Sequence, residues 1–465
     1  MSLNTPTLIN EFVNDPAVSS DDVFFQNRKD PNLVIKKGIW LYFLLLIFEG
    51  ALRRWIIPQL SSPLLLIRDP VAIWLIITAI KRNVLPSNFY MYAMVIIGFV
   101  SLYLAMFAGH GNLYVALYGV RIFVVHFPVM FVIGNVFTRE DVIKMGKIIL
   151  YIAIPMTALI ILQFRSSPTA FVNKGVGDNL TATFGGAGDY FRPPGTFSFI
   201  TGTTLFYGLV SAFVFYFLLT PGHLNKRVLT IATICLFVAV PYSISRSLFF
   251  EVAVGIVFAF ATVLRKPEYF SKMIIAVVLG GIVLLILFQF SGFGTAIGAF
   301  TARFNGANET EGGLKGVLLD RYLGGIFGAL FNNDKTPFWG YGLGYGSAVA
   351  GVLLTGASGR LLGEGDWGRI IGELGAFLGI IVISIRMGFS FDLTIRSIRK
   401  FAVKDLLPWM LLSFGIIIIP QGEWAQPSSL GFSTLIGGLL LASLNDRSME
   451  MKETLASPTD EFDAE

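Results

Sequence analysis

The residues best suited to chemistry in this chain are arginines and carboxylates set in apolar or glycine-rich surroundings. They are Arg192 in DYFRPPGTF, Arg246 directly after PYSIS, Arg321 in a DRY triplet, and Glu364 and Asp366 in EGDWGRIIGELG. A guanidinium spreads its charge over a planar fork that matches phosphate oxygens, so each arginine is a candidate for holding a phosphorylated group. Two prolines stiffen the turn that carries Arg192. Each arginine is equally consistent with a long side chain snorkelling to a membrane surface. Asp366 would complement the dipole of a helix starting there. Glu364, among glycines just outside that helix, would remain available as a general base or acid. Asp366, Arg369 and Glu373 fall on one helical face at i, i+3 and i+7.

Between these motifs lies TPFWGYGLGYG, residues 336–346, with glycines at alternate positions and Tyr341 and Tyr345 between them. It does not match the GxGxxG phosphate cradle. Its glycines read either as a flexible turn or as tight turns presenting tyrosine faces suited to sugar rings. Leu314, Val317, Leu318, Tyr322, Ile326 and Leu330 recur at a helical period, which predicts an amphipathic helix at a membrane interface with Arg321 at headgroup depth.

Charges within apolar runs are costly and read first as functional or paired. Glu49 and Arg53 in FEGALRRW predict an i, i+4 pair, with Arg54 facing the outer interface beside Trp55. Arg68 and Asp69, adjacent in sequence, predict pairing with separate helices. Arg121 reads equally as an anion ligand or as a strut between helices, His126 as a satisfied buried imidazole, and Glu251 as a partner for one of these arginines.

The elements that position these groups are membrane helices. With 54% hydrophobic and only 14% charged residues over 465 positions, the composition is that of an integral membrane protein. One cysteine, Cys235, excludes an internal disulfide, and three scattered histidines make a protein-built metal site improbable. The net charge of +5 needs no nucleic acid to explain it. Apolar runs predict about twelve spanning helices near 37–57, 63–80, 88–108, 113–136, 143–164, 197–219, 226–244, 247–264, 272–290, 366–386, 406–420 and 425–444. The expected fold is an all-α polytopic membrane domain over 37–445, flanked by tails 1–36 and 446–465. Lysines and arginines cluster in alternate loops, which places those loops and both tails in the cytoplasm. The long loops at about 165–196 and 291–365 then face the periplasm, the second carrying amphipathic helices between helices 9 and 10.

Taken together, RPPGTF, SRS at 245–247, DRY followed by Pro337, Gly340, Gly342 and Gly344, and the stretch ending in Glu-Leu-Gly resemble the O-antigen ligase and O-antigen polymerase superfamily of bacterial envelope polysaccharide assembly. FEGALRRW is similar to a feature of some polymerase-like members. The resemblance covers roughly 185–385. Ligase members usually carry a histidine nine residues before the glutamate of Glu-Leu-Gly, and here that position is Glu364, which tilts the reading toward polymerase. The resemblance implies metal-independent, cofactor-free glycosyl transfer from an undecaprenyl-pyrophosphate-linked oligosaccharide to a sugar hydroxyl, on the periplasmic face of the bacterial inner membrane. On that reading Arg246 and Arg321 would clamp the pyrophosphate, with Glu364 as base. Arg192 and Arg121 would assist binding, and Tyr341, Tyr345, Trp367 and Asp366 would line the substrate path. A chain-length regulator or flippase of the same pathway would be the expected partner. Ligase-type transfer to a lipid or protein acceptor, and secondary transport of lipid-linked sugars, remain the competing readings.

Overall fold

The computed structural model describes residues 30–177, 190–265, 291–311, 337–356, 359–362 and 365–445, together with positions 185, 270 and 289. Among them are thirteen α-helices of nine residues or more: α1 Leu33–Ala51, α2 Arg68–Lys81, α3 Phe89–Phe107, α4 Leu113–Arg121, α5 Phe127–Val136, α6 Arg139–Arg165, α7 Ile200–Leu219, α8 Lys226–Tyr242, α9 Arg246–Arg265, α10 Ser291–Glu311, α11 Asp366–Ala402, α12 Leu407–Gln421 and α13 Pro427–Leu444. Eight helical stretches among the described residues are long and apolar enough to cross a bilayer, so the chain is a multi-pass membrane protein.

A helix occupies every predicted position except 272–290, which apart from position 289 lies outside the described residues, as do 314–330, Arg321 and Glu364. Two expectations change. The helix predicted over 366–386 continues to Ala402, because Phe389, Leu393 and Phe401 prolong its buried face through the basic stretch expected to be a loop. The long loop begins with a 21-residue helix, α10, whose Phe293 meets Tyr242 of α8 at 6.2 Å between ring centroids. The fourth predicted span stands as one helical stretch, Leu113–Val136, with a π-helical segment, Ile122–His126, inside it between α4 and α5. A second π-helical segment, Leu52–Ile56, extends α1.

The bundle has two chemically distinct ends. At one, Lys36 bridges Asp30 and Asp141, Arg139 pairs with Asp405, and Asn445 donates to the Gly134 carbonyl. Every described lysine but Lys174 belongs to this end, as the alternating charge pattern requires. At the other end, Arg53 donates to Ser198 Oγ, Arg54 to the Gly195 carbonyl, and His110 meets the Leu343 carbonyl.

The turn between α12 and α13 is recessed. α12 has 15 residues, so it rises about 22 Å, less than the roughly 30 Å hydrocarbon core. Its following turn lies well below the lysine-poor ends of α3 and α4. Trp424 in that turn packs on Phe127, and Thr434 of α13 reaches the His126 carbonyl. Backbone at such depth must be satisfied by protein. Arg386 does so by donating to the carbonyls of Ile419 and Gly422 while its guanidinium stacks 3.7 Å from the Trp424 ring. Arg68 donates to the carbonyl of Pro427.

Asp366 completes this clasp by pairing with Arg386, twenty residues along the same element. A straight helix would separate them by about 30 Å. Gly375, at φ +74°, breaks α11 and lets Asp366–Leu374 double back along 376–386, with Gly379 against Ile371. Arg386→Ala leaves Asp366 with Arg369 alone, its Oδ2 unpaired, and strands two carbonyls. It is expected to cost about 3–5 kcal/mol, read as a lowered unfolding midpoint of the purified protein in micelles.

Candidate functional site

The lysine-poor end gathers the motif-bearing segments around the recessed turn. The RPPGTF turn is stitched to α1: Arg53 donates to Ser198 Oγ at 2.9 Å, and Thr196 Oγ1 donates to the Ile47 carbonyl at 2.6 Å. Gly50 makes this approach possible, since a Cβ there would lie 2.2 Å from the Ser198 nitrogen. Gln163 of α6 holds the same turn from the other side, donating to the Gly195 carbonyl and accepting from its amide. Arg192, at the start of this turn, is half-buried.

The turn before Arg246 is backbone-strained. Ile244 has φ +48° while buried, a conformation that β-branched residues avoid. Ser245 Oγ and Thr204 Oγ1, 3.0 Å apart, tie this turn to the first turn of α7. Phe206 of α7 packs on Phe197, and Phe197 on Phe432 of α13. Arg246 opens α9, half-buried. Arg192 and Arg246 thus sit at the same end of the bundle.

GYGLGYG is neither a flexible turn nor an open cradle. It is threaded between α3, α4 and the folded-back part of α11. The Tyr341 amide donates to the Gly372 carbonyl at 2.8 Å, the Gly342 amide to the Glu373 carbonyl at 3.0 Å, and the Gly346 amide to Glu373 Oε1 at 2.9 Å. Gly340, Gly342 and Gly344 all have positive φ, and a Cβ on Gly344 would stand 2.2 Å from the Val115 carbonyl oxygen. Tyr341 and Tyr345 stack at 5.0 Å, and Tyr345 lies 6.4 Å from the His110 ring. The Asn112 amide donates to His110 Nδ1, so a neutral ring presents its Nε2–H to the Leu343 carbonyl.

Asp366 and Trp367, predicted to line a substrate path, serve the scaffold. Asp366 is buried between Arg369 and Arg386. The Trp367 Nε1–H donates to the Pro420 carbonyl at 2.9 Å. Arg369 also meets Glu373 at 2.8 Å, closing a network of two arginines and two carboxylates.

A second charged cluster joins α1, α2 and α4. Glu49 contacts Arg53 at 3.3 Å and Arg68 at 3.4 Å, and Asp69 contacts Arg121 at 3.0 Å. Arg68 and Asp69 do pair with different helices. Tyr42 donates to His126 Nδ1 while His126 Nε2–H donates to Asp69, each at 2.9 Å, so the imidazole is satisfied when neutral. Arg54 does not face the outer interface: it is fully buried, 4.5 Å from the Trp55 ring. Glu251 has no arginine partner among the described residues. Its Oε2 is buried and unbonded, wedged where a Cβ on Gly208 would lie 2.0 Å away.

Sequence reasoning missed Arg386, whose role follows only from the doubling-back of α11. A charge deep in an otherwise apolar run was the available signal. Among the described residues, no three His, Cys, Asp or Glu side chains gather as a metal site would require. Comparison with family models, curated proteins and solved structures finds no match for this chain.

Gly344→Ala is expected to destabilise the protein by about 1–3 kcal/mol through overpacking, added to the roughly 1–2 kcal/mol cost of a left-handed conformation. Gly356→Ala, also at positive φ but facing open space, should show only the smaller cost. Paired unfolding curves in micelles measure the difference.

Proposed function

We propose that this protein is a bacterial envelope polysaccharide polymerase. It moves a glycan from an undecaprenyl-pyrophosphate carrier to a sugar hydroxyl at the periplasmic face of the inner membrane, within a fold of about twelve spanning helices. The observation that supports this reading is the meeting of the motif-bearing stretches at the lysine-poor end. GYGLGYG docks directly on the folded-back helical part of α11 that carries IIGELG, RPPGTF is tied to α1, and the turn before Arg246 is tied to α7. Residues far apart in sequence and carrying one resemblance lie at the same end of the bundle.

The chemistry follows from charge. Cleaving the bond to a lipid pyrophosphate develops negative charge on the leaving group, which fixed cations stabilise in a site of low dielectric. Arg192 and Arg246 lie at that end, and Arg321 is proposed to join them. Glu364, two positions before the clasped Asp366, takes the proton of the acceptor hydroxyl. The Tyr341–Tyr345 stack offers an apolar face to a sugar ring. Ligase-type transfer would use the same groups with another acceptor.

Secondary transport is favoured by one observation, the buried Glu251 inside a span, whose Oε2 has no hydrogen-bond partner among the described residues. Purified protein given a lipid-pyrophosphate-linked oligosaccharide is expected to lengthen the glycan and release lipid pyrophosphate. Arg246→Ala and Glu364→Ala should each lower turnover by at least about a hundredfold. Vectorial movement of the substrate across liposomes without new glycosidic bonds would instead establish transport.

A further inference from the structure

The charged cluster of α1, α2 and α4 carries more positive charge than its scaffold role needs. Three guanidinium groups, Arg53, Arg68 and Arg121, face two carboxylates, Glu49 and Asp69. His126 adds no compensating charge, and the cluster is buried: Arg68 is 1% exposed and Arg121 5%. A net cation at this depth is costly unless something neutralises it. Two of its donors are also unused. Arg121 Nη2 and Arg68 Nη1 are buried without hydrogen-bond partners among the described residues, while Arg68 Nε is taken up by its ion pair with Glu49.

The local backbone is built around these groups. Arg53 lies in the π-helical segment Leu52–Ile56, and Arg121 directly precedes the segment Ile122–His126. Such segments recur at functional sites because they displace side chains from the regular helical register. Arg68 fits only because residue 431 is glycine, since a Cβ there would stand 1.8 Å from its Nη1. Arg68 also donates to Pro427 in the recessed turn, where Glu423, Gln426 and Pro427 are partly exposed. The cluster therefore borders the recess.

The geometry points to an anion site of the phosphate class, formed by Arg68 and Arg121 at the edge of the recess. Guanidinium donors match phosphate oxygens in geometry as well as charge. The site uses neither Arg192 nor Arg246, and its test reads binding, so it stands or falls independently of the polymerase reading. Asp69 tunes it: the carboxylate holds Arg121 in place while reducing the local positive charge.

Full-length protein in lipid-stripped micelles is titrated with sodium phosphate against sodium gluconate at equal ionic strength, following the unfolding midpoint. A ligand that binds the folded state raises that midpoint saturably. The wild type is expected to respond saturably to phosphate. Asp69→Asn, which keeps the hydrogen-bond acceptor and removes a negative charge, should saturate at about tenfold lower phosphate. Arg121→Gln should lose the response. A purely structural cluster would show no phosphate-specific shift in the wild type, and that result overturns the proposal. So does an unchanged half-saturation in Asp69→Asn, which decides the matter even if Arg121→Gln does not fold. A short-chain phosphatidic acid identifies the source: saturation below the phosphate concentration assigns a lipid headgroup, and saturation by inorganic phosphate alone assigns a free anion.

Discussion

Two arginines, Arg386 and Arg68, supply hydrogen bonds that the backbone between α12 and α13 cannot obtain from lipid. This constraint shapes the rest of the bundle. Because α12 is short, its terminal carbonyls end below the membrane surface and require donors brought in by neighbouring helices. Each donor is a buried cation and needs an anion of its own. Asp366 serves Arg386, and Glu49 lies beside Arg68. Arg68, Glu49, Arg386 and Asp366, charges that look out of place in an apolar sequence, are thus consequences of one recessed turn.

Satisfying Arg386 has a topological effect. Asp366 reaches it only because α11 folds back at Gly375, and the folded-back part, Asp366–Leu374, becomes the surface on which GYGLGYG is laid. Glu373 links the two, with one oxygen on the Gly346 amide and the other on Arg369. The glycine segment is held by a network that begins at the recessed turn. The positions that a glycosyl-transfer reading would assign to sugar contacts, Tyr341 and Tyr345, are consequently fixed in a stack rather than carried on a mobile loop.

The two buried networks differ in their charge balance. Around α11, two arginines meet two carboxylates and their donors are largely engaged. Around α1, α2 and α4, three arginines meet two carboxylates, and one nitrogen each of Arg68 and Arg121 lacks a partner among the described residues. The first has the composition of a strut. The second is left with binding capacity at the edge of the recess, in helices whose regular winding is interrupted on two sides.

Hydropathy, charge alternation and helical spacing are local properties. The sequence alone was therefore sufficient to mark the apolar helical stretches, eight of which among the described residues are long enough to cross a bilayer, and to pick out Glu49–Arg53 and Asp366–Arg369–Glu373 as same-face groups. It also marked Arg68, Asp69 and Arg121 as charges needing partners. Which partners they take was decided only by tertiary structure, since Arg121 meets Asp69 and Arg386 meets Asp366 through helices whose relative heights no local pattern encodes. The same holds for Arg54, buried by a turn lying 141 residues away, and for GYGLGYG, whose glycines answer to close backbone contacts with α4 and α11. Period and composition set what each segment can become, and the depth at which segments meet sets what each charged side chain does.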